Sequence, residues 1–285
     1  MAATPIFILG RHRSGTTWVS NILASLPEIY APVHRSESGV HESAFFSHLV
    51  RHCNHGRSDA DLQAIKRLFE RSSFFSLTGL AHGPEITAQG PVEYLRSIMA
   101  AGARTKGAKF WLEKTPAHTL HAKFLSDSFP DARFIAVVRN YRDVVASNVH
   151  GFGDPDSAWN WFRQSIVTAV YEKIIARNKV KVVSYETLLT DYEGTIRSIM
   201  KYLGIDSEVI PHSEFQPNTS YKDTSRGTRW WQEMAMDAGR WLVQPLPARL
   251  VEESVVRWRG RRPGTLPPWF FAAGEHPRGD AGRDT

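Results

Sequence analysis

Short apolar runs recur along the chain, each followed by a turn and then by a stretch with helical spacing. Pro5 to Leu9 reads as a strand bounded by Gly10. From Thr16 onward, Trp18, Val19, Ile22, Leu23 and Leu26 share one helical face, and Pro27 stops the pattern. Lys109 to Leu112 reads as a second strand, with a helix from about Pro116 to Ser128. Phe134 to Val138 is a third, with a helix through about Val149. Val180 to Ser184 is a fourth, with a helix from Tyr185 to about Tyr202. Runs this short, with no polar alternation, suit strands buried on both faces, and helices between them suit right-handed crossovers. The pattern predicts an α/β fold of three layers, a mostly parallel central sheet flanked by helices.

Residues 30–43 and 211–229 lack periodicity, and loops of this length inside a domain tend to carry function. Ala272 to Thr285 is rich in Gly, Pro and charge and reads as a disordered tail, which leaves residues 1–271 as one domain.

Composition narrows the function classes. Cys53 is the only cysteine, which excludes an intramolecular disulfide framework and fits a reducing compartment. No apolar run approaches the ~20 residues of a spanning helix, and the N-terminal run lacks the basic flank of a signal peptide. A cytoplasmic location is therefore expected. The net charge of +6 favours an anionic partner. No Lys/Arg run marks a nucleic-acid tail and one cysteine allows no zinc finger, so nucleic acid is not an expected partner.

The candidate chemistry sits where the predicted strands end, where open α/β sheets bind ligands. Gly10-Arg-His-Arg-Ser-Gly-Thr-Thr17 joins the first strand to the first helix with the glycine spacing of a P-loop. Such a turn aims backbone N–H groups at an anion. The Walker lysine is absent, its place taken by Thr16. This disfavours a magnesium-dependent NTPase and leaves Arg13 to supply positive charge. After the third strand, Arg139 lies eight residues before Ser147, and a guanidinium with a hydroxyl there suits a phosphate. Read singly, Arg139 fits a surface ion pair with Asp143 better, and Ser147 an ordinary helix serine; their pairing with the first loop shifts the balance.

Together these elements resemble the sulfotransferases that use 3′-phosphoadenosine 5′-phosphosulfate, abbreviated PAPS. Arg13-Ser14-Gly15-Thr16-Thr17-Trp18 matches the family's 5′-phosphosulfate loop, and Arg139-Asn140 with Ser147 matches its 3′-phosphate element. Ser184-Tyr185-Glu186-Thr187-Leu188 resembles the segment whose tyrosine lies near the adenine. The resemblance implies a P-loop-like fold, in-line sulfuryl transfer to a hydroxyl or amine, PAPS as co-substrate and no metal. Arg13, Ser14, Gly15, Thr16, Thr17, Arg139, Ser147 and Tyr185 are its implied nucleotide contacts. A late phosphate-binding segment matches either Arg226-Gly227-Thr228 or Gly239-Arg240-Trp241, and Arg240 is preferred because it resembles the tyrosylprotein and glycan branch.

Lys114, in Leu112-Glu-Lys-Thr-Pro116, resembles the family lysine that contacts the sulfonate or bridging oxygen; the alternative is a solvated loop lysine paired with Glu113. Pro116 stands where the cytosolic small-molecule branch has its histidine base. Glu42 matches the glutamate base of the tyrosylprotein and glycan branch, with His41, Glu37 and His34 as rivals. His41-Glu42 does not begin a zincin motif, because Phe45 occupies the fifth place. His48, His52, Cys53 and His55 read as a polar helix face rather than a metal site. Trp230, Trp231 and Trp241 read as packing residues, or as the lining of a small-molecule, lipid or glycan acceptor pocket. Oligomeric state is not encoded in any of these signals. Two rival functions are carried: a P-loop kinase of a small molecule, and a non-catalytic 3′-phosphoadenosine nucleotide binder.

Overall fold

The computed structural model describes residues 3–34, 39–86, 90–207, 209–211 and 228–271. Seven strands are β1 Thr4–Gly10, β2 Ile29–Tyr30, β3 Val33–His34, β4 Gly39–Val40, β5 Phe110–Lys114, β6 Arg133–Val138 and β7 Lys181–Ser184. Five of them form one sheet in the order β2-β5-β1-β6-β7, and every neighbouring pair is parallel. β3 and β4 make a separate antiparallel hairpin. The α/β, P-loop-like architecture expected from the sequence is present, and its sheet is wholly parallel.

The strand sequences explain the layering. On β1, Phe7 and Leu9 point into one buried cluster and Ile6 and Ile8 into another on the opposite face. Phe134 and Ala136 alternate in the same way with Ile135 and Val137 on β6. A strand apolar at every position needs cover on both faces, and each buried Ile, Leu or Phe contributes about 1.5–3 kcal/mol.

The helices are α1 Thr16–Ala24, α2 Val50–His52, α3 Asp59–Glu70, α4 Ser73–Ser76, α5 Gly90–Thr105, α6 Ala122–Ser128, α7 Tyr141–Phe152, α8 Ala158–Arg177, α9 Tyr185–Thr190, α10 Tyr192–Leu203, α11 Trp230–Val243 and α12 Ala248–Gly260. A π-helical turn, Phe45–Leu49, leads into α2. α7, α8, α11 and α12 enclose a third apolar cluster around Trp161 and Met236.

Two predicted helices divide. The stretch from Pro116 begins as a 3-10 turn, Pro116–His121, before α6. The stretch from Tyr185 breaks at Asp191, whose carboxylate accepts from the Gly194 N–H at 3.0 Å and so caps α10 instead of continuing α9. The candidate base Glu37, the alternative Arg226-Gly227 and the 272–285 tail lie outside the described residues.

Candidate functional site

Strand register brings the site together. Ile8 pairs with Lys114, Gly10 with Val137, and Val138 with Ser184. The phosphate loop, Lys114, Arg139 and Tyr185 therefore emerge side by side at the carboxyl edge of the sheet. The chain order reverses on either side of β1, which makes this edge the topological switch point.

The loop's glycines answer to specific neighbours. Gly10 has φ 147°, and a Cβ there would lie 2.6 Å from the Val137 carbonyl oxygen. Gly15 caps α1 in the left-handed region, φ 93°, and a Cβ there would lie 2.5 Å from the Tyr185 ring. Arg13 adopts φ 72°, a costly conformation for a residue with a side chain. The Gly10 N–H donates to Thr119 Oγ1 at 2.8 Å, tying the loop to the turn after β5. Ser14 and Thr16 are buried, and Thr17 is half-buried at the start of α1.

Arg139 lies 4.7 Å from the Tyr185 ring centroid and donates to the Arg13 carbonyl at 3.4 Å. Its ion pair with Asp143 is long, 3.6 Å. Glu186 holds these pieces together: it accepts from the Asn140 N–H at 2.7 Å and from Ser184 Oγ at 2.9 Å. Burial works against its negative charge, but those bonds and the Arg139 charge leave the Glu186 carboxyl below its usual range. Ser147 lies on α7 one turn beyond Asp143, on the same helix face. Among the described residues, the buried Nε atoms of Arg11, Arg13 and Arg139 have no hydrogen-bond partner. The Arg11 guanidinium also donates to Gln164 Oε1 at 2.5 Å, so what the three arginines leave unpaired is the Nε atom of each.

The other half of the site centres on Lys114 and Glu42. Lys114 Nζ donates to Glu42 Oε1 at 3.0 Å; the lysine is 3% exposed and the glutamate 21%. Next to them, fully buried Glu113 accepts from Ser43 Oγ at 2.6 Å, from Thr115 Oγ1 at 2.6 Å and from His118 Nδ1 at 2.8 Å. The Phe46 N–H donates to His118 Nε2 at 3.1 Å, which fixes the ring between the two elements. Burial raises the Glu113 carboxyl, and the charge interaction with His118, followed by the hydrogen bonds from His118, Ser43 and Thr115, outweighs it and leaves it below its ordinary value. The Ala44 N–H donates to Thr115 Oγ1 at 3.2 Å, and Ala44 itself sits at φ 50°. This lattice pins residues 43–46, and with them the carboxylate one residue earlier.

The alternative bases lie elsewhere. His41 packs edge-on to Trp269, 6.0 Å between ring centroids, and His34 belongs to the β3–β4 hairpin. His12, unremarked in the motif, is a close charge neighbour of Glu42 and Lys114. Burial first, then Arg11, Lys114 and Arg13, lower its pKa to about 4 against the pull of Glu42. Its position inside the loop motif was the only sequence signal for it.

Arg240, on α11, reaches Glu172 at 3.4 Å and stacks 4.2 Å from the Tyr141 ring centroid. Its contacts therefore go to α8 and α7, not to the phosphate loop. Trp231 packs against the third cluster, whereas Trp230 and Trp241 are largely exposed. Among the described residues no group of His, Cys, Asp and Glu is arranged to hold a metal, and no helix is long and apolar enough to cross a membrane.

The structure is thus a parallel α/β sheet whose switch point carries a glycine-bounded loop and, beside it, a buried lysine paired with a half-buried glutamate. The sequence matches the family model described as "Sulfotransferase family" over residues 5–208, and the chain belongs to that family. Its structure is similar to the sulfotransferase domain of the Synechococcus PCC 7002 olefin synthase, with 19% identity, 93% of this chain and 97% of that one covered, and a TM-score of 0.49. It is also similar to a sulfotransferase from Alicyclobacillus acidocaldarius, with 17% identity, 92% and 100% covered, and a TM-score of 0.47. No curated protein matches the sequence.

Proposed function

We propose that this sulfotransferase moves a sulfuryl group from PAPS to a hydroxyl or amine acceptor, with Lys114 and Glu42 at the reacting end. The observation that carries the reading is the 3.0 Å contact between Lys114 and Glu42 beside the phosphate loop, joining two residues 72 positions apart.

The residues present fit the donor nucleotide. The N–H groups of residues 14–17 at the start of α1, with Arg13, would hold its 5′-phosphosulfate. Arg139 and Ser147 would hold the 3′-phosphate, and Tyr185, fixed against Gly15, would flank the adenine. PAPS when bound supplies the activated sulfuryl group. Arg240 is left as a weaker candidate for the late segment because Glu172 and Tyr141 already engage it.

Three tasks fall to the chain. Charge must be neutralised where the bridging oxygen leaves with the 5′-phosphate, and Arg13 and Lys114 carry that charge. The acceptor's proton must be taken, and Glu42 is the base because its carboxylate already lies against the lysine; His41 is the lesser candidate. Position must be held, and the Glu113–Ser43–Thr115–His118 lattice keeps Glu42 at its station. The scheme assigns no role to a metal. A cytoplasmic enzyme with residues 1–271 as its domain, acting on a small-molecule, lipid or glycan acceptor, is the setting this reading implies.

Calorimetric titration with 3′-phosphoadenosine 5′-phosphate, against ADP and ATP with and without Mg²⁺, tests the donor. Binding of the 3′-phosphorylated nucleotide without metal is expected. Preference for Mg-ATP would overturn the donor assignment in favour of a kinase. Nucleotide binding without sulfation of any acceptor in a broad alcohol and amine screen would favour a non-catalytic binder.

A further inference from the structure

A second cationic site lies where α2 meets the end of α12. A cleft of about 420 Å³ is lined by Arg51, His52, Asn54, His55 and Arg57 from one side and by Gly260, Arg261, Arg262 and Pro263 from the other. Among the described residues no carboxylate lines it, and it shares no residue with the loop after β1, Glu42, Lys114, Arg139 or Tyr185.

Among the described residues, none of the four arginines forms an ion pair with a carboxylate. Arg51 is 8% exposed, and its guanidinium donates to three backbone carbonyls: Ser47 at 3.1 Å, Arg259 at 3.2 Å and Arg262 at 2.9 Å. Carbonyls satisfy its N–H groups but leave its charge uncompensated. Among the described residues, Arg57, Arg261 and Arg262 form no ion pair. Arg262 stacks 4.8 Å from the Trp258 ring centroid. Asp61, which touches the lining residue Asn54, accepts from the Ser58 N–H at 3.0 Å and from Asn54 Nδ2 at 3.4 Å, in the cap of α3. The His55 ring is lowered by burial first and then by the positive charges of Arg57 and Arg51.

The wall is also held in a shape the backbone resists. Asn54 and His55 take left-handed φ values of 47° and 64°, directly before Gly56 at 66°. The remaining left-handed non-glycine residues in the described chain are Arg13 and Ala44, both in the candidate active site. Strain of this kind persists only where surrounding contacts over-determine it.

We propose that this cleft is an anion-binding site, separate from the donor site, that takes a phosphate-bearing ligand. A phosphate group offers two charges and several acceptor oxygens to guanidinium groups approaching from two sides, which a single carboxylate cannot match. The shared chemistry covers a soluble phosphate ester and the phosphate headgroup of a lipid, and Trp258 beside Arg262, 54% exposed, is placed to accompany either.

The test uses the full chain and the double variant Arg57→Ala/Arg261→Ala, both positions being exposed and outside the candidate active site. Inorganic pyrophosphate is titrated calorimetrically into each, and each is sedimented with phosphatidic acid vesicles against phosphatidylcholine vesicles. Thermal melting checks that the variant is folded. In the wild type, a pyrophosphate-binding phase is expected that the variant weakens about tenfold or more, while 3′-phosphoadenosine 5′-phosphate binding is unchanged. Sensitivity confined to phosphatidic acid vesicles also supports the site and identifies the source as lipid. Equal binding of both probes by wild type and variant, or binding of neither, overturns the proposal. Failure of the wild type to bind 3′-phosphoadenosine 5′-phosphate would overturn the donor reading and leave this one standing.

Discussion

The phosphate side and the proton side of the candidate site are assembled in opposite ways. The phosphate side is local: a strand ends, the chain turns, and a helix begins, so Gly10 to Thr17 and Arg139 to Ser147 each form a working piece within one segment. The proton side is long-range. Glu42 arrives from the segment after the β3–β4 hairpin, Lys114 from an interior strand, and the clamp around Glu113 draws on Ser43, Thr115 and His118. The first kind of site survives as a motif because backbone geometry encodes it. The second kind depends on two distant segments keeping one register.

Changes around Glu42 and Lys114 are expected to alter rate without altering nucleotide affinity. Glu42→Gln is expected to lower turnover by ~10²–10⁴ while 3′-phosphoadenosine 5′-phosphate binds as before. Steady-state kinetics beside calorimetry reads both, and full activity in this variant would remove Glu42 as base. Lys114→Ala should cost on the order of 10²–10³ in turnover and much less in affinity; an unchanged rate would place Lys114 outside the reaction.

Arg139→Ala sharpens the other side. Loss of a charge-assisted bond worth about 1.5–3 kcal/mol should weaken binding of the nucleotide tenfold or more. Comparison with a probe lacking the 3′-phosphate, which should lose little, locates the effect. Equal losses for both probes would break the assignment.

Glu113→Gln tests the clamp through stability. The variant should lose about 1–3 kcal/mol, read by urea unfolding at neutral pH. Because the Glu113 carboxyl titrates below its ordinary 4.5 in the folded chain, its contribution is full above that pH and fades as pH falls through the lowered value. The variant should therefore lack that part of the acid loss. A smaller effect concerns His12 and His48, each lowered, chiefly by burial, from 6.5 to about 4. The unfolded chain takes up their protons first, so stability should decline from pH 6.5 to about 4 and level off below. His48→Gln should flatten that slope in a pH series of denaturation midpoints; an unchanged slope would show that His48 does not contribute to it.

Much of the frame was legible because buried parallel strands declare themselves. Pro5 to Leu9 and Phe134 to Val138 are apolar at every position, and both are central strands. Ile29–Tyr30 escaped notice because two residues make no pattern, and its pairing with Phe110 and Trp111 supplies what its sequence lacks. The helix predicted from Tyr185 to Tyr202 ran through Asp191, where a side-chain cap outweighed continuous periodicity. Trp230 and Trp241 looked like packing residues by type, yet nothing in the described chain covers them.

By itself the sequence determined the parallel α/β frame, the glycine-bounded loop after β1 and the helix start after β6, since turn glycines, strand composition and helix starts act over a few residues. Only the tertiary structure set Glu42 against Lys114, turned Glu113 into a clamp, made Glu186 the tie between two strand ends, and gathered four arginines around one cleft. Those meetings depend on where the chain returns, and a contact between residues far apart leaves no periodic trace in either segment alone.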